Sequence, residues 1–157
     1  MTQLSAGDKA PAFTLVDQSG DKVKLSDFKG RRLVIYFYPK ADTPGCTTQS
    51  CDLRDHRKDL TKLGAAVVGI SPDSPERQSK FDKKYQLGFP LLADEDHAVA
   101  ERFGAWGEKS MYGRKYMGII RSAFVIDEKG KIADVFYKVS PKATVPKVSA
   151  AVAALDD

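Results

Sequence analysis

Leu33 to Cys51 reads LVIYFYPKADTPGCTTQSC, and both cysteines of the chain lie in it. The stretch opens with an unbroken apolar run, Leu33-Val34-Ile35-Tyr36-Phe37-Tyr38. The run is short, rich in β-branched and aromatic residues, and stopped by Pro39, which predicts a strand buried on both faces. Lys40, Ala41 and Asp42 make a loop. Thr43-Pro44 predicts a helix start, with Thr43 as N-cap and Pro44 at the first helical position. Cys46 then falls in the first helical turn, at the C-terminal edge of a central strand, where α/β sheets place their ligands.

That position bears on reactivity, because the thiolate and not the thiol is the nucleophile. A helix start offers unpaired N–H groups and about half a unit of positive charge. Both favour a thiolate, so Cys46 reads as a reactive cysteine. Cys51 follows five residues later. Five residues of α-helix turn the chain by about 140° and separate the two Cα atoms by roughly 8–9 Å. A disulfide needs Cα atoms within about 7 Å. If the two sulfurs bond, the first turns of the helix must unwind.

Outward from this stretch, the 157-residue chain is read as one domain, residues 1–157, with a single sizeable core. Hydrophobic residues make up 42% and charged residues 29%, ordinary proportions for a globular protein. No segment approaches the roughly 18 apolar residues of a membrane span. The N-terminus has neither a basic nor an apolar leader region, so a cytoplasmic location is expected. In a reducing compartment two cysteines point to redox chemistry rather than a staple. The net charge of +4 comes from 25 basic and 21 acidic residues, interleaved with no basic block longer than two. The basic patch of a nucleic-acid binder is missing.

In chain order, Phe13–Val16 and the region of Val23 and Leu25 suggest an N-terminal hairpin around a turn at 17–21. The helix after Cys46 is expected to run to about Leu63 and to stop at Gly64. Ala65–Ile70 is the next buried strand, which makes a parallel βαβ unit with a right-handed crossover. A second helix starts at Ser74-Pro75, buries Phe81 and Tyr85, and stops at Gly88. A short extended piece follows at 89–92, then a short helix carrying Val99 and Phe103. Residues 104–118, GAWGEKSMYGRKYMG, read as a long loop, a length that is often functional. Ile119–Asp127 and Ile132–Val139 form a hairpin across Glu128-Lys129-Gly130. Ser140-Pro141 opens the last helix, unless Pro146 shifts its start to Thr144. This order predicts an α/β protein of thioredoxin-like fold: a central mixed β-sheet flanked by helices, with an N-terminal β-hairpin extension.

The residues also carry a family resemblance. Pro39-Lys40-Ala41-Asp42-Thr43-Pro44-Gly45-Cys46 fits the P-x-x-x-T-x-x-C signature of peroxiredoxins. The wider run YFYPKADTPGCTTQSCDLRD, with LADEDHAVAERFGAWGEK and IIRSAFVIDEKGKI, resembles the bacterioferritin comigratory protein branch, also called peroxiredoxin Q. The resemblance extends from about Ala6 to Val139 and implies a peroxidase reducing hydrogen peroxide and organic hydroperoxides. It makes Cys46 the peroxidatic cysteine, and Cys51 the residue that resolves its sulfenic acid within the same chain. It matches Arg121 to the family's arginine and gives Pro39 the role of shielding the thiolate from water. Thioredoxin, or glutaredoxin, is the implied reductant. No cofactor, metal, nucleic acid or membrane is expected, and intrachain resolution favours a monomer.

Chemistry supports these roles. Attack on a hydroperoxide puts negative charge on the departing oxygen, and donors aimed there lower the barrier. The Cys46 N–H, the Thr43 hydroxyl and Arg121 would serve. Gln49 lies near the same helix face as Cys46 and could hold Arg121. The competing readings are weaker. Cys46, Cys51 and His56 do not converge on one helix face, as a metal site would require. A thiol–disulfide oxidoreductase normally carries C-x-x-C, and a non-catalytic binding module with two buried thiols leaves Pro39, Thr43 and Pro44 unexplained. Trp106 and Met111 are read as packing residues and His97 as a surface residue.

Overall fold

The structure, a computed structural model, describes residues 3–156. Its elements in chain order are β1 (Thr14–Val16), β2 (Lys22–Lys24), β3 (Arg32–Phe37), α1 (Pro44–Asp55), α2 (Arg57–Lys62), β4 (Ala65–Ser71) and α3 (Pro75–Tyr85). They continue with β5 (Leu91–Ala93), α4 (Ala98–Arg102), β6 (Trp106–Met111), β7 (Arg114–Ile119), β8 (Ser122–Ile126), β9 (Ile132–Phe136) and α5 (Thr144–Ala154). Seven strands form one mixed sheet in the order β2-β1-β5-β4-β3-β8-β9, and β6 and β7 form a separate pair. β3 runs parallel to β4 and antiparallel to β8.

The apolar run explains why β3 sits inside the sheet, between β4 and β8. Every residue from Leu33 to Tyr38 has no exposed surface. Side chains alternate across a strand, so Val34, Tyr36 and Tyr38 join one core cluster and Leu33, Ile35 and Phe37 the other. β8 divides in the same way, with Ala123 and Val125 on the first face and Phe124 and Ile126 on the second. Burying each large aliphatic or aromatic side chain is worth about 1.5–3 kcal/mol, so a polar substitution anywhere from Leu33 to Phe37 would be severe.

The faces are unequally covered. Leu53 of α1, Leu60 of α2, Phe81 of α3 and Val148 and Val152 of α5 pack with Cys46 on one face. The other face is closed by α4, the arm around Ala10 and Phe13, and Ile119.

Several sequence expectations are corrected. The helix expected to reach Leu63 breaks at His56 into α1 and α2. α3 ends at Tyr85 because Gln86 takes the left-handed cap with φ +51°, ahead of Gly88. Leu25 opens a 3-10 turn instead of ending β2. Ile119 closes β7, so β8 starts only at Ser122. The last helix begins at Thr144, but Ala143 holds the N-cap position and the Thr144 hydroxyl donates to the Ser140 carbonyl at 2.9 Å. The segment read as a loop at 104–118 is mostly the β6–β7 hairpin, turned by Tyr112 and Gly113 at φ +52° and +78°. Two successive positive φ angles match the two-residue hairpin turn that follows strand twist.

Candidate active site

β3 delivers the chain to the loop 39–43, and buried polar groups hold that loop. The Ala41 N–H donates to Asp73 Oδ2 at 2.7 Å. Asp73 also accepts from the Ser71 hydroxyl at 2.7 Å, Ser71 accepts from Gln78 Nε2 at 2.8 Å, and the Tyr38 hydroxyl donates to Gln78 Oε1. Asp42 adopts φ +60°. Its carboxylate accepts from Lys84 Nζ at 2.9 Å and from the Tyr85 hydroxyl at 2.7 Å. Those two hydrogen bonds hold the Asp42 carboxyl below its ordinary range, with the Lys84 charge adding to them.

Pro44 occupies the first turn of α1, as expected, and Thr43 is the N-cap by backbone conformation. Its side chain, however, makes no cap hydrogen bond. The loop curls so that the Thr43 hydroxyl donates to the Lys40 carbonyl at 2.8 Å. The helical ladder opens with the Thr47 N–H on the Thr43 carbonyl at 2.8 Å, so the Cys46 N–H lies in the helix's unpaired first turn. Cys46 is 1% exposed, which admits only the small end of a substrate.

Arg121 follows the β6–β7 hairpin and reaches across to α1. Its Nη2 donates to Cys46 Sγ at 3.5 Å and its Nη1 to Gln49 Oε1 at 2.8 Å. A guanidinium charge therefore stands against the sulfur, the surrounding in which cysteines are reactive. A Cβ on Gly45 would come within 3.1 Å of Arg121 Nη2 and 3.4 Å of Pro141 Cγ. Glycine at 45 is what allows this close approach.

Behind the sulfur, the Ser50 and Tyr36 hydroxyls lie 2.7 Å apart with both residues fully buried. Burial drives the Tyr36 phenol far above its ordinary pKa. Gly69 lies under its ring: a Cβ there would stand 2.9 Å from Tyr36 Cε1. Cys51 is half-buried on α1, and both thiols are free. Burial pushes the Cys51 thiol up, with Asp55 and Asp52 adding to it and Arg54 opposing. At the far end of α1, Arg54 Nη1 donates to the Tyr85 carbonyl at 2.7 Å.

Arg121 is thus brought against Cys46 at the start of α1, where Thr43 is the N-cap, and Gln49 holds Arg121 as expected. Pro39 directly follows Tyr38 at the end of the buried run and makes no side-chain hydrogen bond to this group. His56 is not part of it: its Nδ1 lies 2.9 Å from the Asp52 carbonyl on the exposed side of α1. Among the described residues no group of three or more His, Cys, Asp and Glu side chains is placed to hold a metal ion, and no helix is long and apolar enough to cross a membrane. His97, expected at the surface, stacks on Trp106 with ring centroids 3.7 Å apart. Met111, expected to pack, is 57% exposed.

Sequence reasoning missed Thr144 and Lys109. Gln49 Nε2 donates to the Thr144 hydroxyl at 2.8 Å. Lys109 Nζ donates to the Ile119 carbonyl at 2.7 Å. Burial lowers the Lys109 pKa, the Arg121 charge lowers it further, and Cys46 opposes both. Neither residue carried a signal. Thr144 lies 95 residues from Gln49, and Lys109 sat in a stretch read as loop.

Comparison with known proteins gives a consistent picture. Residues 6–135 match the AhpC/TSA family. The chain is 57% identical over 136 residues to Peroxiredoxin Bcp of Escherichia coli (strain K12), covering 87% of each. It is 47% identical over 139 residues to Peroxiredoxin Bcp of Bacillus subtilis (strain 168), covering 88% of each. The solved structure of the Xanthomonas campestris bacterioferritin comigratory protein, described for its alkyl peroxide reduction activity, superposes with a TM-score of 0.90. That match has 35% identity over 97% of this chain and 99% of the other.

Proposed function

Because this chain belongs to the AhpC/TSA family, as a peroxiredoxin of the bacterioferritin comigratory protein type, we propose that Cys46 is its peroxidatic cysteine and Cys51 its resolving one. The protein is a thiol peroxidase: it reduces hydroperoxides at the expense of thiols. The observation that carries the assignment is Arg121 Nη2 donating to Cys46 Sγ at 3.5 Å where α1 begins.

The Cys46 thiolate attacks the hydroxyl oxygen of the hydroperoxide. An S–O bond forms, the O–O bond breaks, and the departing oxygen leaves as alkoxide or hydroxide to be protonated to alcohol or water. Cys46 becomes a sulfenic acid. The Cys46 N–H and Arg121 face the charge developing on the departing oxygen, and a single donor so placed is worth about 10²–10³ in rate. Thr43 has committed its proton to the Lys40 carbonyl, so its lone pairs accept the hydroperoxide O–H and orient the attack. Pro39 covers the sulfur from water. The start of α1 then unwinds. Cys51 attacks the sulfenic sulfur, and a disulfide and water form. An external dithiol of thioredoxin or glutaredoxin type regenerates both thiols by exchange. One domain, acting as a monomer, suffices for this cycle.

Cys46→Ser is expected to abolish peroxide consumption in a single-turnover assay; full turnover in that variant would overturn the assignment. Intact and peptide mass spectrometry of peroxide-treated protein is expected to find an intrachain Cys46–Cys51 bond, and a purely intermolecular product would remove Cys51 from the cycle.

A further inference from the structure

We propose that Thr144 is a positioning residue for the peroxidatic centre: it fixes which end of the Gln49 amide faces Arg121. This rests on the assignment of Cys46 and Arg121 above. The starting point is the Ser140 carbonyl, which can only accept. The Thr144 hydroxyl donates to it at 2.9 Å, and having spent its one proton presents lone pairs to Gln49. Gln49 answers with its Nε2, at 2.8 Å. That leaves Gln49 Oε1 on the other side, where it accepts from Arg121 Nη1 at 2.8 Å. With Nη1 so held, Nη2 is the nitrogen set on Cys46 Sγ at 3.5 Å. The direction of every bond in the relay follows from the first.

The environment makes the direction matter. Gln49 and Thr144 have no exposed surface, so water does not compensate a wrong orientation. An amide turned end for end would aim N–H groups at a guanidinium that has only N–H groups to offer, and a buried donor left unpaired costs about 1–3 kcal/mol. Without the Thr144 hydroxyl the correct orientation leaves one Gln49 N–H unpaired, and the amide loses its bias. The guanidinium then loses its fixed seat against the sulfur. The relay also spans the segment that must unwind, since Gln49 lies between Cys46 and Cys51 on α1. It is therefore broken when Cys51 travels and remade when the helix reforms.

Two conservative substitutions separate this role from packing. Thr144→Val keeps the shape and loses the hydroxyl; Thr144→Ser keeps the hydroxyl and loses a methyl. The relay predicts that Thr144→Val reacts with hydrogen peroxide about tenfold more slowly, less than the 10²–10³ of a lost direct donor. It predicts that Thr144→Ser reacts within about twofold of the unsubstituted protein, on the same argument that the donor arrangement is kept. It also predicts faster conversion of the sulfenic acid to the disulfide in Thr144→Val, because one tie on α1 is gone. A packing role predicts the reverse order for the first step.

Gln49→Glu gives a second arm. A carboxylate has two equivalent ends and no wrong one, so the rate loss caused by Thr144→Val is expected to vanish in the Gln49→Glu background. A Thr144→Val variant as fast as the unsubstituted protein, a Thr144→Ser variant as slow as Thr144→Val, or an undiminished loss in the Gln49→Glu background would each overturn the relay. If Cys46→Ser is inactive in the same assays, such a result removes the relay and leaves the peroxidatic assignment standing; an active Cys46→Ser removes both.

Discussion

Arg121 holds its Nη2 3.1 Å from the point where a Cβ on Gly45 would stand. Alanine at 45 would have to push the guanidinium aside by a few tenths of an ångström. The moving group is the end of a long side chain, so the fold would be little affected. The donor on the sulfur, however, would be displaced. Gly45→Ala is expected to slow the reaction with peroxide by about 10²-fold, the scale of one lost donor, with an unchanged circular dichroism spectrum. A stopped-flow peroxide-consumption assay with a rate equal to that of the unsubstituted protein would show that the close approach has no catalytic consequence.

Removing the second thiol isolates the first step. Cys51→Ser is expected to consume one equivalent of peroxide quickly and a second slowly, and then to stall in a thioredoxin-coupled assay. Cys46 would accumulate first one added oxygen and then two, because sulfenic acid that finds no partner thiol goes on to sulfinic acid. Intact mass spectrometry after timed exposure reads this directly. Sustained turnover at the original rate would mean that the external thiol attacks the sulfenic acid itself.

Burial raises the Cys51 pKa in the folded helix, and the sign of its linkage follows. A thiol with a folded pKa above its unfolded value binds its proton more tightly when folded. The stabilisation this gives α1 is full below the unfolded value, about 8.5, and is lost as pH rises from there through the folded pKa. Unwinding of α1 therefore becomes easier with rising pH in that window, and the unwound thiol is also more ionised. Quenched-flow measurement of sulfenic acid conversion to disulfide is expected to accelerate from neutral pH to about pH 9–10, the window set by that ordinary thiol value. A flat profile would contradict the coupling.

The Ser50–Tyr36 pair ties α1 to the sheet with both hydroxyls out of water. Ser50→Ala would leave the Tyr36 hydroxyl without its partner. The expected cost is about 1–3 kcal/mol in urea unfolding, together with faster disulfide formation because α1 is held less firmly. A loss of stability with an unchanged resolution rate would place this bond outside the segment that moves.

Much of the plan was legible in the sequence because local and global signals agreed. The run at Leu33–Tyr38 had the composition of a strand buried on both faces, Pro39 marked its end, and Thr43-Pro44 marked a helix start, which together placed Cys46. The hairpin of β6 and β7 was hidden for a physical reason. Met111, Tyr112, Tyr116 and Met117 are exposed, so no alternation of burial was written into it. Its turn is Tyr112-Gly113, where the usual first residue is Asn or Asp. The Thr43 hydroxyl makes no cap because it donates to the Lys40 carbonyl instead, within a loop where Asp42 takes φ +60°, a conformation the sequence does not announce. Arg121 was identified by family pattern, and its seat against Gln49 and Thr144 joins three parts of the chain that no window of sequence contains.

Tyr85 grips, at both extremities, the stretch that the proposed cycle unwinds. Its phenol hydroxyl donates to Asp42 ahead of α1, and its carbonyl accepts from Arg54 near the close of that helix. Whatever melts between those two clasps does so with its ends fastened to the same residue of α3. The slack is bounded, the peptide cannot wander, and the reverse journey begins from anchored ground. Repeated oxidation and reduction would thus cycle the same few turns between fixed ends.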